Sequence, residues 1–171
     1  MSSQYLTLYK MIVLYMLRRS DNRLSKAQIY DFILENEYTN FLTLQEVFAE
    51  MAESELITET EVGNRTYLSM TSAGEETLGF FSNRINPAIR EQIDTFFKEN
   101  GMKIREESSI NAYYKKTGEN EYEVHLSATE GGKSLIDISI PFWTEEMAQT
   151  VCDNWKRKNQ DIYQYLIKEL M

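Results

Sequence analysis

Cysteine and histidine are nearly absent from this chain of 171 residues, which contains one of each, Cys152 and His125. A single cysteine cannot form an internal disulfide, and this favours a reducing compartment. The sequence has no Cys/His cluster that would suggest zinc, and neither residue has an evident partner that would activate it as a nucleophile or base. We therefore expect no metal, no cofactor and no enzymatic activity. Cys152 falls on the apolar stripe of a helix and His125 on the polar face of a strand.

Glycine-rich loops and long apolar runs are missing as well. The seven glycines form no phosphate-binding loop. No window approaches the roughly 18 consecutive apolar residues that a membrane span needs. The N-terminus lacks the basic region and small-residue cleavage site of a signal peptide. We expect a soluble, cytoplasmic protein.

Basic residues are scarce: 18 lysines and arginines stand against 27 aspartates and glutamates, for a formal net charge of −9. Nucleic-acid-binding proteins usually carry a basic face, because contacts with phosphates dominate their affinity. An acidic total does not exclude such a face, since the field at a surface is local. The excess of acidic over basic residues nevertheless makes strong DNA binding by the isolated chain less expected.

The residues that are present predict a folded chain whose first part is helical. The composition is 42% hydrophobic and 26% charged, which is typical of globular domains. Apolar residues at helical spacing predict a first helix over residues 5–19 and a second over 25–36, with Ser25 as its N-cap. Thr43, with Glu46 three residues later, forms a capping box that predicts the start of a third helix.

A hairpin follows the three helices. Two β-prone runs, Leu56–Glu61 and Thr66–Met70, flank a turn centred on Gly63 and Asn64, two residues that tolerate positive φ. Thr71 then caps a fourth helix. The order of helix, helix, helix, hairpin and helix is the layout of a winged helix-turn-helix.

The second half changes from helical to alternating periodicity. Pro87 predicts the start of another helix, and Gly101 is expected to end it. Alternating apolar residues then predict a three-stranded antiparallel meander that ends at Pro141, and Thr144 caps a long helix that covers the sheet. We predict an α+β chain with three parts: a winged-helix domain (1–85), a connecting helix (86–107) and a C-terminal α+β module for sensing or dimerisation (108–171).

Several segments carry a resemblance to a known family. These are LYKMIVLYMLRRSDNRLSKAQIYDFILENEYTNFLTLQEVFAEMAESELI, with its YTNFLTLQ turn, then TYLSMTSAGEETLGFFSNRI and CDNWKRKNQDIY. They resemble a family of uncharacterised Firmicutes proteins that is catalogued as a domain of unknown function and often labelled as winged-helix proteins or transcriptional regulators. TYLSMTSAGEETL is also similar to the wing-to-helix join of PadR- and MarR-like repressors. The resemblance implies the fold over nearly the whole chain and carries no catalytic or ligand-binding residues.

The predicted recognition helix complicates a DNA-binding interpretation. Its sequence TLQEVFAEMAESE contains four glutamates and no lysine or arginine, and carboxylates near phosphates are repelled. Polar side chains at the helix start, and cations from the first two helices and the wing, are candidates for base or phosphate contacts, or else ordinary solvated charges. The candidate DNA-binding residues are Arg18, Arg23, Lys26, Thr39, Asn40, Thr43, Gln45, Asn64 and Arg65.

Two functions therefore stay open. The first is a DNA-binding transcriptional regulator that acts as a homodimer, with two recognition helices about one DNA turn apart. The alternative is a protein–protein interaction module in which the acidic winged helix has lost DNA binding and contacts a basic partner. A charge map discriminates between them, because a positive stripe over Arg18, Arg23, Lys26 and Arg65 favours DNA and an acidic surface favours protein. The abundant aromatic residues belong to the core or line a dimer interface or effector pocket.

Overall fold

The computed structural model of the protein describes residues 3–22 and 24–171, and this part is mixed α+β. Its six α-helices are α1 (Ser3–Arg19), α2 (Lys26–Glu35), α3 (Phe41–Glu53), α4 (Ser72–Phe81), α5 (Pro87–Ser109) and α6 (Glu145–Leu170), with one short 3-10 helix at Ser82–Arg84. The five strands are β1 (Ile57–Val62), β2 (Arg65–Met70), β3 (Ile110–Gly118), β4 (Glu121–Glu130) and β5 (Lys133–Phe142).

The chain divides into two compact units, which are described separately below. The first unit comprises Met1–Glu61 and Arg65–Ile104. The second comprises Val62–Asn64 and Arg105–Met171. Each unit has a hydrophobic core of its own.

Helix α1 is the centre of the first unit. Tyr9 and every residue of Met11–Leu17 are buried, so the helix is covered on all sides instead of along one stripe. Helices α3 and α4 and strand β2 all contact it. The predicted helix is confirmed, but its spacing indicated a single apolar face, because periodicity within one segment does not show how many other elements surround it.

The N-caps of α2 and α3 differ in how well they were predicted. Ser25 caps α2 as predicted, in a reciprocal capping box with Gln28. The prediction that Thr43 caps α3 is wrong: the helix begins at Phe41, and the Oδ1 atom of Asn40 accepts a hydrogen bond from the Thr43 backbone N–H at 2.9 Å. Asparagine is as strong an N-cap as threonine, so the earlier residue takes the position. Thr43 consequently lies in the first turn with only 5% of its surface exposed.

The predicted hairpin and the cap that follows it are confirmed. Strands β1 and β2 pair as a two-stranded sheet, and Tyr67 of β2 also forms a single antiparallel bridge with Ser25. The Oγ1 atom of Thr71 accepts from the backbone N–H of Gly74 at 3.0 Å and donates to the carbonyl of Glu55 at 2.6 Å. This one side chain therefore caps α4 and ties its start to the end of α3.

The second unit is a three-stranded antiparallel sheet covered by α6, as predicted. The strand order is β3-β4-β5. Val124 and Leu126, in the central strand, are buried against Cys152 and Trp155 of α6. The indole N–H of Trp155 donates to the carbonyl of Ser127 at 3.2 Å, so the largest side chain of this core is also satisfied as a donor.

Two predicted element ends are wrong. Gly101 does not end α5, which continues to Ser109 and leads directly into β3. The space beside Gly101 is open, so glycine is tolerated there without serving as a cap. Pro141 does not end β5, which continues to Phe142. Since β5 is an edge strand, its proline can lack an N–H without removing a bond from the sheet interior.

Two glycines of α4 provide a matched test of the close packing between this helix and the hairpin. A Cβ added at Gly74 would lie 2.3 Å from the Leu56 carbonyl oxygen, whereas one added at Gly79 would meet nothing within 4 Å. We expect Gly74→Ala to lower the free energy of unfolding by about 1–3 kcal/mol, because backbone must move. Gly79→Ala should raise it by about 0.5–1 kcal/mol through helix propensity. Urea unfolding measures both, and equal effects of the two substitutions would contradict the packing described.

Candidate functional site

The most distinctive exposed surface of the first unit is the side of α3 that points away from α1. We call it the α3 outer face. The opposite side of the helix supplies Leu44, Val47, Phe48 and Met51 to the core, and this fixes which residues face solvent. The α3 outer face consists of Phe41, Leu42, Gln45, Glu46, Ala49 and Glu53, all exposed.

The α3 outer face has an apolar end and an acidic end. Phe41 and Leu42, in the first helical turn, are 51% and 71% exposed. The ring of Phe41 stacks on Tyr30 of α2 with 4.8 Å between centroids, so it is held in place although half of it is open to solvent. Further along the helix the exposed charges of this face are Glu46 and Glu53, whereas the exposed Glu50 pairs with Lys10 of α1. The face contains no cation.

Three cations of α1 and α2 are engaged by carboxylates. Exposed ion pairs contribute little to stability, and their importance here is that they cancel positive charge. A lysine held by a glutamate offers a phosphate group much less attraction than a free lysine does. The pairs are Lys26 Nζ to Glu59 Oε1 at 2.6 Å, Lys10 Nζ to Glu50 Oε2 at 2.7 Å and Arg18 Nη1 to Glu75 Oε1 at 3.8 Å.

The local field around α2 and β1 is negative enough to affect a tyrosine. The pKa of Tyr30 lies above its ordinary value, first because the hydroxyl is partly buried and second because the negative charge of Glu59 opposes ionisation. Lys26, which forms its ion pair with the same Glu59, also lies over the ring of Phe48 at 5.3 Å from the centroid. The Lys26 ammonium is thus placed by contacts within the protein.

The hairpin turn places the remaining candidate residues. Gly63 has a positive φ of 62°, as the tight turn requires. Asn64 and Arg65 are both exposed. The Nη1 atom of Arg65 lies 3.5 Å from the Tyr67 hydroxyl oxygen on the same strand.

The structure separates the predicted DNA-binding residues into groups. Gln45, Asn64 and Arg65 are exposed as expected, whereas Thr43 is buried, so its side chain cannot contact DNA. Arg23 lies outside the residues that the structure describes. Three further candidates are engaged within the protein: Asn40 caps α3, Lys26 pairs with Glu59, and Arg18 pairs with Glu75. Thr39 is partly buried.

Sequence reasoning missed the two apolar residues of the α3 outer face. A helix that begins at Thr43, as the sequence predicts, leaves Phe41 and Leu42 outside it. The signal that could have found them is Asn40, an equally good N-cap placed three residues earlier.

A second acidic feature of the first unit is an open groove between α2 and α5. Its volume is about 610 Å³. Its apolar part is formed by Phe32 and Phe96, whose ring centroids are 5.3 Å apart. The described residues around it include three glutamates and no lysine or arginine; the polar ones are Glu35, Asn36, Glu91, Gln92, Thr95, Glu99 and Asn100.

The two residues considered for catalysis lie on opposite faces of the second unit's sheet. The Nδ1 atom of His125 is 2.9 Å from Ser139 Oγ, and its ring stacks on Tyr113. Its Nε2 atom lies 2.6 Å from Glu123 Oε1, although without the direction of a hydrogen bond. Cys152 is buried against the sheet, and burial raises the pKa of its thiol, more than the nearby Lys156 lowers it.

The described residues carry neither a metal-binding cluster nor a membrane-spanning helix. These residues contain no group of three or more His, Cys, Asp or Glu side chains placed to hold a metal ion. None of the described helices has both the length and the apolar character that crossing a membrane requires.

Comparison with known families shows which family the chain belongs to. The model of the family described as Domain of unknown function (DUF4364) matches residues 9–170. Because the match spans nearly the whole sequence, the chain belongs to this family. The resemblance to a family catalogued as a domain of unknown function is thereby confirmed. Comparisons with curated proteins and with solved structures gave no match.

The assignment of Asn40 as the cap of α3 can be tested directly. We expect Asn40→Ala to lower the free energy of unfolding by about 1 kcal/mol, because the Thr43 backbone N–H loses its acceptor. Asn40→Ser should retain most of the stability, since serine caps comparably. Chemical denaturation of the three proteins measures the difference. An Asn40→Ala protein as stable as the wild type would contradict the cap.

Proposed function

We propose that this DUF4364 protein is a protein–protein interaction module built on a winged helix-turn-helix, in which the acidic α3 outer face docks onto a basic surface of a partner protein. The element order of the first unit supports the winged-helix interpretation: three helices, a hairpin and a fourth helix. The bridge between Ser25 and Tyr67 supports it further, since it adds a short third strand to the hairpin.

The observation that carries the docking proposal is the composition of the α3 outer face. Phe41 and Leu42 supply exposed apolar anchors, and Glu46 and Glu53 supply negative charge beside them. Apolar anchors within a charged surround are characteristic of protein interfaces. Carboxylates in the position that should approach DNA oppose the phosphate backbone and attract lysine or arginine on a partner instead.

Affinity capture with matched variants tests this proposal. We expect a partner that is retained by the wild type and lost by Glu46→Lys and by Leu42→Asp. Glu106→Lys serves as the control, because it reverses the charge of an exposed glutamate in α5, outside the α3 outer face. With the purified partner, Glu46→Lys should weaken binding at least about tenfold, equivalent to about 1.4 kcal/mol. A set of captured proteins that is the same for all four chains would overturn the docking proposal.

The second candidate is a DNA-binding transcriptional regulator that acts as a homodimer. The same element order favours it, together with exposed Gln45 on α3 and exposed Arg65 on the hairpin. In a dimer of this type the two α3 helices would read half-sites about 34–36 Å apart. Glutamine can pair with adenine in the major groove, and a wing arginine can contact phosphate or the minor groove.

A salt-dependent DNA titration tests this second candidate. If Arg65 contacts a phosphate, Arg65→Ala should weaken binding and reduce the slope of log affinity against log salt by about one. Lys116→Ala, which removes an exposed cation from a strand of the second unit, should leave the slope unchanged. Glu46→Lys separates the two candidates, because it should strengthen DNA binding and weaken binding to a basic protein. Affinity for duplex DNA without any salt slope would exclude the electrostatic contacts assumed here.

A further inference from the structure

Helix α6 is much longer than the part that packs on the sheet. It has 26 residues, which corresponds to about 39 Å. Its buried residues are Ala148, Cys152 and Trp155, all in the first half. From Asn159 onward, every described residue of the helix is exposed or only partly buried. We call residues 159–170 the α6 overhang.

The helical spacing of the α6 apolar stripe continues into the α6 overhang, with Asn159 as a polar position between the two parts. Ala148, Cys152 and Trp155 are separated by steps of four and three residues, and the same alternation leads on to Asn159, Ile162, Leu166 and Glu169. Further apolar or aromatic side chains flank this seam: Tyr163, Tyr165 and Leu170, of which Tyr165 is 62% and Leu170 79% exposed.

We propose that the α6 overhang pairs in antiparallel orientation with the overhang of a second copy of this chain, forming a homodimer. In this arrangement Ile162 of one copy faces Leu166 of the other, and the reverse contact repeats it, as a two-fold interface requires. The same register sets Asn159 opposite Glu169 at each end. Shifting it towards the C-terminus by one heptad would place Glu169 against Leu166. The register described is therefore the one that matches apolar with apolar and polar with polar residues.

The charges around the α6 overhang favour the antiparallel orientation. They also favour a second copy of this chain as the partner of the overhang. Lys156, Arg157 and Lys158 are three consecutive cations just before the overhang. Parallel pairing would set the two triplets side by side, and their repulsion would oppose it. Antiparallel pairing instead sets each triplet beside Glu169 and the negative end of the dipole of the other helix, with Lys168 as the one cation of that last turn. The second half of α6 thus carries both the positive and the negative groups of the contact, so a second copy of the chain is a complementary partner.

The size of the contact predicts its strength. The α6 overhang is about 18 Å long, so a pair of overhangs lies at the small end of stable protein interfaces. We expect a dimer that dissociates on dilution through the micromolar range. The proposed dimer contact involves the second unit alone, so it is compatible with either a protein or DNA as the ligand of the first unit. Loss of dimerisation and loss of partner or DNA binding are consequently separate results.

Sedimentation equilibrium of the whole chain tests the contact. The wild type should shift with concentration from 20.1 kDa towards twice that mass. Ile162→Glu and Leu166→Glu should each raise the dimer dissociation constant at least about tenfold, since each buries a carboxylate in the apolar contact between Ile162 and Leu166. Gln164→Glu adds the same charge on the outward side of the helix and should change the constant less than about twofold. Ile162 is 36% exposed in a single chain and neither Ile162 nor Leu166 belongs to the core of the second unit, so both variants keep the fold, which circular dichroism verifies.

Spin labels test the orientation. A label at Gln149→Cys, near the start of α6, should show an inter-label distance of about 45 Å or more in the antiparallel dimer, because the two labelled positions lie about 30 residues apart along the pair. A parallel dimer would bring the labels close to the interaxial spacing of about 10 Å. Cys152 is buried and stays unlabelled, as the wild-type chain checks. A monomer at all concentrations, a short distance, or dimerisation unaffected by both Ile162→Glu and Leu166→Glu would each overturn the proposal.

Discussion

The complete burial of α1 is the constraint on which the first unit depends. Seven consecutive residues, Met11–Leu17, are withdrawn from water, and no single helix or hairpin could cover them all. Helices α3 and α4 and strand β2 must therefore surround α1, each contributing one apolar side. The close approach of Gly74 to the Leu56 carbonyl belongs to the same packing. One side of helix α3 packs into this core. Only its other side is exposed and accessible to a ligand.

The charge of that surface decides between ligands more strongly than the fold does. A fold supplies a geometry, and the residues on its surface supply the chemistry. Two like charges 4 Å apart repel by about 1 kcal/mol in water and by about 4 kcal/mol near a protein surface. Glu46 and Glu53, without a cation on the same face, would impose repulsion of this kind on approaching phosphates. Since Lys26 and Arg18 face carboxylates of their own, they do not compensate for it.

The features predicted from sequence are those that depend on neighbouring residues. Ser25, Thr71 and Thr144 were identified as caps because each contacts a backbone N–H within three residues. Asn40 and Thr43 are both good N-caps, and the local sequence does not show which of them begins the helix. The start predicted for α3 therefore falls at Thr43. The ion pair of Lys26 with Glu59 joins residues 33 positions apart, so no local pattern could show that this candidate cation was already engaged. The fold was thus more predictable than the charge of its surface.

The length of α6 raises an energetic question of its own. Helical segments of about 12 residues are marginal in water unless tertiary contacts stabilise them, and the α6 overhang makes few such contacts within its own chain. Its seam nevertheless has Ile162 and Leu166 at the centre, with polar Asn159 and Glu169 at the two ends, as expected of a surface whose centre becomes buried. The proposed pairing of two overhangs would supply the missing contacts. It would also join two first units, so that two α3 outer faces would act on one partner or assembly. Even a weak docking contact then gains from effective concentration, which is the advantage of coupling a long helix to a small interaction surface.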